Sequence, residues 1–328
     1  MSVDATFSYL DNRANLIFQR KLSGVYKPIM EAEYKLTARI YCNQGAIRSV
    51  RFSEDGAYCI TSGSNKKVKL WNPYRSVLLK TYAGHANEVM DACSSCDQSQ
   101  IASCSSDKSV ILWDVIAGTP VRRLRAHTGT VNTVRFNEIS TIIVSGSQDN
   151  SVMLWDTRAR TLTPIQVLPD AKDSISSVRI SDHEILTASF DSKVRRYDIR
   201  EGRLVTDCMG EIVTCASFTR DNKCVVVSCA DGTIKLIDKD TGELLGEYEG
   251  LKRSDFCMES SVSHDDSLIL SGSENGKIWA WKLISREVVM RLGDEQSSKY
   301  PIVSIGVHPS KNCLLAANGQ DILVWEKE

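Results

Sequence analysis

Apolar and polar residues alternate in short runs along most of this chain. Val131-Asn132-Thr133-Val134-Arg135-Phe136 is one such run, followed by a second from Thr141 to Ser147. A polar turn, Gln148-Asp149-Asn150, leads into Val152-Met153-Leu154-Trp155, and a fourth run covers Thr163 to Leu168. Period-two spacing, β-branched residues and turn chemistry together predict four short strands. The same layout recurs with a large or apolar anchor near the end of each third strand: Trp71, Trp113, Trp155, Tyr197, Ile237, Trp281 and Trp325. The gaps between anchors are 42, 42, 42, 40, 44 and 44 residues.

A period in the low forties, four strands per unit and a polar residue after most anchors (Asp114, Asp156, Asp198, Asp238) form the signature of the WD40 repeat. The predicted fold is all-β, a seven-bladed WD40 β-propeller. Only three residues follow Trp325, too few for a fourth strand in the last unit. Tyr34, Leu36, Ala38 and Ile40 alternate with polar neighbours ahead of the first complete unit, so residues around 33–41 are expected to complete blade seven. Closing the ring this way removes a long exposed edge. The expected organisation is a leader over 1–30, disordered or a short helix (Leu10, Ala14, Ile17 and Lys21 share a spacing), then a propeller over 31–328. Charged residues on the outer strands (Lys80, Arg123, Arg125, Glu247, Glu249) read as guards against edge pairing.

Composition narrows the function classes. The 328 residues are 42% hydrophobic and 25% charged, with a net charge of −1. That balance gives no bulk field for nucleic acid or membrane, and the basic pairs Lys66-Lys67, Arg122-Arg123 and Arg195-Arg196 read as solvated rims. No apolar run reaches membrane-span length and no signal-peptide layout opens the chain. The eleven cysteines, among them Cys59, Cys104, Cys224, Cys229 and Cys313, sit mostly in apolar strands and read as reduced core thiols. Cys93 and Cys96 have CxxC spacing without a second ligand pair, so no metal is expected. No cofactor motif is present.

Two units contain the residue types of a serine hydrolase. His85 can join Asp107, Ser103 or Ser105, and Trp113; His127 can join Asp149, Ser145 or Ser147, and Trp155. A Ser-His-Asp set can activate a nucleophile. Its repetition in adjacent units points instead to a structural tetrad, Asp to His to hydroxyl to indole, whose members satisfy one another. Asp191, Asp231, Asn275 and Gly319 occupy the turn position of other units without a preceding His, and packing is expected to hold those blades. The chain is expected not to be an enzyme.

Longer stretches carry a narrower likeness. Ser181-Asp182-His183-Glu184-Ile185-Leu186, Val194 to Arg200, Asp238 to Tyr248, Val68-Lys69-Leu70-Trp71-Asn72-Pro73 and Gly129 to Val134 resemble the mitogen-activated protein kinase organizer family of WD40-repeat scaffolds. The likeness runs over about 33–328 and departs from the family in the leader. It implies a non-enzymatic scaffold that assembles components of the extracellular-signal-regulated kinase cascade. It also implies association with the spliceosome in pre-mRNA splicing, in both cytoplasm and nucleus. Protein partners are therefore expected, with no small-molecule substrate, membrane or direct nucleic acid contact.

By resemblance to peptide-binding WD proteins, residues at the start of each first strand and before the turn acid project around one channel mouth. The candidate partner-binding face comprises Arg48, Met90, Phe190, Ile212, Phe256, Met258, Pro301 and Val303, with the apolar members in units four to seven. A second candidate surface is Arg158 and Arg200, each three residues after an anchor. It resembles the pattern by which substrate receptors of cullin-4 ubiquitin ligases contact their adaptor.

Overall fold

Alternating apolar residues need cover on both faces, and in this chain neighbouring sheets supply it. A computed structural model describes residues 34–252, 257–293 and 299–327; the leader assigned to 1–30 lies outside the described residues. Among the described residues, twenty-eight strands form seven four-stranded antiparallel sheets. The innermost strands are Ile47–Phe52, Val89–Ser94, Val131–Phe136, Ile175–Ser181, Val213–Phe218, Ser260–Val262 and Ile302–Val307, one to each of blades 1 to 7. Among the described residues no helix is long and apolar enough to cross a membrane.

The core lies between blades. Val110, Leu112 and Leu124 of blade 2 pack with Val131, Val134, Ile143 and Trp155 of blade 3, and comparable clusters fill the other seams. Blade 7 has the strand order predicted from the unpaired ends. Tyr34–Tyr41 is its outer strand, antiparallel to Asp321–Lys327, with Tyr34 opposite Lys327 and Tyr41 opposite Asp321.

Three expectations need correcting. The outer strand of blade 3 spans only Gln166–Leu168, not Thr163 to Leu168, because Pro164 has no N–H to donate to the ladder. Arg195 and Arg196 are not a solvated rim. Both are buried: Arg195 grips Asp191 at 3.2 and 2.5 Å, and Arg196 reaches the Glu184 carboxylate at 3.6 Å and the Lys239 carbonyl at 2.5 Å. The outer-strand cations also do more than guard edges. Lys80 donates to the Ile116 carbonyl and Arg122 to the Ala159 carbonyl, so each straps its blade to a turn of the next. Tyr82 and Tyr248 bridge the same kind of seam through Val115 O (3.2 Å) and Leu283 O (2.6 Å).

Candidate partner-binding surfaces

The upper face, where outer strands return to inner ones, is shaped by a repeated irregularity. In six blades the register slips at the second residue of the inner strand, as between Ile47 and Ser49 or Ile302 and Ser304. A bulge adds one unpaired residue and re-aims its side chain. The extra residues are Arg48, Met90, Asn132, Ser176, Thr214 and Val303, and every one of them lines the upper channel mouth. Met258 takes the corresponding place in blade 6. The mouth is an open cavity of about 470 Å³.

Of the face expected from sequence, the structure brings Arg48, Met90, Phe190, Met258 and Val303 to this mouth. Ile212 and Pro301 do not line it: Ile212 is exposed on the approach to its strand, one residue before Val213 begins the ladder. Met258 reaches the mouth from a buried position, with its carbonyl accepting Thr214 Oγ1 at 3.3 Å. Phe256 lies outside the described residues. Polar neighbours of the patch are already engaged. Asn132 donates to Ser174 Oγ (3.1 Å) and Ile175 O (2.7 Å), Ser176 to Val213 O (2.8 Å), and Arg48 pairs with Glu88 at 2.8 Å.

Below the mouth a belt of buried charge crosses the channel. Arg51 meets Glu259 at 2.5 Å and Asp91 at 3.3 Å; Arg135 meets Asp91 at 2.5 Å; Arg179 donates to Glu259. Thr133 and Ser304 hydroxyls complete the two carboxylates at 3.2 and 2.8 Å. Burial opposes ionisation of Asp91 and Glu259, but the neighbouring guanidiniums outweigh it and hold both below their ordinary range. Sequence reasoning missed this belt. Its signal was an arginine directly after the inner-strand valine in units 1, 3 and 4: Val50-Arg51, Val134-Arg135 and Val178-Arg179.

The hydrolase-like sets resolve as hydrogen-bond chains. His85 lies 3.0 Å from Asp107 and 2.8 Å from Ser103 Oγ, which accepts the Trp113 indole N–H at 2.8 Å. His127 repeats this with Asp149 at 2.9 Å, Ser145 at 2.8 Å and Trp155 donating at 2.9 Å. Ser103 and Ser145 are fully buried and each oxygen is already shared by imidazole and indole, so neither can meet a substrate carbonyl. Burial works against the Asp149 carboxylate, yet hydrogen bonds from Ser151, Thr128 N–H and His127 carry it down to about 2. Asp107 is likewise held low, against burial, by His85, Ser109 and Ala86 N–H. Burial lowers His127 despite the attraction of Asp149, favouring neutral imidazole.

Two of the blades that lack His have polar support besides packing. In blade 1 Gln44 stands in: Thr61 donates to its Oε1 at 2.5 Å and Trp71 donates to Thr61 at 3.0 Å. An amide oxygen accepts as an imidazole nitrogen does, so the chain survives the exchange. In blade 4 the Arg195–Asp191 fork serves the turn.

The one group of described residues with metal-ligand spacing is His183, Glu184 and Asp198, whose ligand atoms lie within 4.8 Å of one another. Lys239 already sits 2.5 Å from Glu184, placing an ammonium where a cation would go. Cys93 is buried in an inner strand while Cys96 is exposed in the turn beyond it. None of the eleven cysteines, all among the described residues, forms a disulfide, and burial pushes Cys93 and Cys313 up to about 12. On the lower face Arg158 and Arg200 project from the third turns of adjacent blades, their side chains 75% and 67% exposed. Arg200 contacts Asp182 at 3.2 Å; Arg158 approaches Asp156 only to 3.8 Å.

The WD domain, G-beta repeat, matches residues 34–72, 76–114, 118–156 and 203–238. Each match runs from the outer strand of one blade through the third strand of the next, the offset that the shared seventh blade requires. WD repeat domain-containing protein 83 of Rattus norvegicus is 55% identical over 88% of this chain and 90% of its own. The Homo sapiens protein of that name is 52% identical over 91% and 94%, and the Dictyostelium discoideum homolog 32% identical over 88% and 99%. The chain belongs to the WD repeat domain-containing protein 83 family. As a WD-repeat propeller of that family it is a platform for protein–protein contacts.

Proposed function

We propose that this chain is a non-enzymatic scaffold whose upper mouth captures a short segment of a partner protein. The observation that carries this reading is the set of bulged residues facing one cavity, with Phe190, Met258 and Val303 gathered beside polar groups. Apolar anchors within a polar rim suit a peptide-sized ligand. The partners are components of a mitogen-activated protein kinase cascade and of the spliceosome, met in cytoplasm and nucleus; the long family-like segments support that assignment. Holding partners on one rigid ring raises their effective concentration without chemistry by the ring itself. The test is affinity purification from separate cytoplasmic and nuclear fractions, using the wild type and a Phe190→Ser, Val303→Ser double variant. Loss of kinase-cascade and splicing proteins from a folded variant is expected; retention of both sets would refute capture at this mouth.

A second reading has its own observation. Arg158 and Arg200 stand out from adjacent lower turns, as an adaptor-binding pair for a cullin-4 ubiquitin ligase would require. Pull-down of that adaptor, lost on changing both arginines to Ala, favours a substrate receptor over a kinase or splicing scaffold.

A further inference from the structure

The channel has a second, lower mouth, a polar cavity of about 380 Å³ roofed by Arg51, Arg135 and Arg179. It exists because the ring is asymmetric. At one inner-strand register, blades 1, 3 and 4 carry Arg51, Arg135 and Arg179, opposite Ile60, Val144 and Leu186. Blades 5, 6 and 7 carry Ser217, Ser261 and Gly306 there, opposite Val226, Leu270 and Leu315. Long cations on one side thus face small residues on the other, and the space between stays open to the lower face.

The charge around this well does not balance. Three guanidiniums of the belt share two carboxylates, Asp91 and Glu259. Arg135 bears the surplus: burial, and then the positive charge of Arg51, weaken its hold on its proton more than Asp91 restores it. Arg220 adds a fourth guanidinium at the rim, against Glu54. A separate observation points the same way. The wall facing these guanidiniums carries only small uncharged residues at that register, Ser217, Ser261 and Gly306, so no acidic side chain there answers Arg135 and Arg179.

We propose that the lower mouth binds a small, free, multivalent oxyanion of the phosphate class, held by Arg135 and Arg179 in the space left by the small residues of blades 5 to 7. Guanidinium forks match tetrahedral oxyanions bidentately. The well closes at the belt and holds the volume of about a dozen waters, which suits a free ion rather than a folded or extended chain. The anion would neutralise the surplus of the belt and tie blades 3 and 4 together at the waist.

Thermal unfolding with sodium pyrophosphate, against sodium chloride at matched ionic strength, tests this. The wild-type midpoint is expected to rise by about 5 °C at saturation. Arg135→Gln leaves two guanidiniums matched to two carboxylates and should lose most of the rise. Arg179→Gln removes the second fork and should lose it as well; it carries the test if Arg135→Gln does not fold. Equal rises in wild type and variants, or none in the wild type, overturn the proposal. So does a rise with a phosphoserine peptide and none with pyrophosphate, which would replace the free anion by a modified chain.

Discussion

Blades 3 and 7 are built on the same plan and hold their anchors differently. Trp155 ends a four-member chain through Ser145 and His127 to Asp149, so the indole, a strand and an upper turn are joined by directional bonds. Trp325 is also buried, but its indole N–H has no partner among the described residues. Blade 7 relies instead on its apolar packing and on the long ladder between Tyr34–Tyr41 and Asp321–Lys327. A repeat can therefore keep an aromatic position for volume alone, and the polar chain is an addition that fixes where the turn sits. Blade 6 lies between the two, with Trp281 donating to the Glu249 carbonyl at 3.0 Å.

Substitutions can break this contrast in order of size. Trp155→Ala should cost about 3–5 kcal/mol in denaturant unfolding, chiefly through the void it leaves; Trp325→Ala should cost a similar amount, since both lose packing. His127→Ala should cost about 2–3 kcal/mol, because Asp149 and Ser145 lose a buried partner together; the Trp325 indole has no such chain to lose among the described residues. The sharpest separation is Trp→Phe: both sites lose ring volume, but Trp155→Phe should cost about 1 kcal/mol more than Trp325→Phe, because only Trp155 gives up a hydrogen bond. Equal costs for the two would mean that the polar chain contributes nothing beyond volume.

Acid provides a smaller and graded probe. His127 has a folded pKa below the ordinary 6.5, so the unfolded chain takes up a proton that the folded chain refuses. Its contribution is complete above pH 6.5 and is lost as pH falls through the lower folded value. Asp149 follows the same sign further down, beginning near 3.8 and ending near 2. The midpoint of thermal unfolding should decline on acidification just below 6.5 in wild type, and that part of the decline should be absent from His127→Gln. The smallest effect belongs to Arg48→Ala, whose half-exposed pair with Glu88 should cost about 0–1 kcal/mol.

Much of this architecture was legible because it is periodic. The anchors gave the blade count, and the lone alternating run at Tyr34 to Tyr41 gave the closure. The tetrad geometry followed from matching His, Asp and Ser at one spacing in two units. Gln44 lies 41 residues before His85 and was legible on the same grounds, but an amide was not weighed as an acceptor equivalent to imidazole. The charged belt was hidden for a different reason. Arg51, Asp91 and Glu259 are brought together by the ring across separations such as 208 residues, and strand alternation marks such residues as facing water. The bulges were equally silent, since one extra residue in a ladder leaves the apolar period of the neighbouring strands intact.

The seventh blade also sets a clock. Thr37 bonds to the Val324 carbonyl across 287 residues, so its strand is made first and finds its neighbour last. At about 5–20 residues per second, a ribosome leaves that strand waiting for some tens of seconds. Until then six sheets stand in an unfinished arc, with one bare ladder at either end seeking the other. A nascent chain in that interval is the form most open to chaperones, and to the wrong clasp from a second copy.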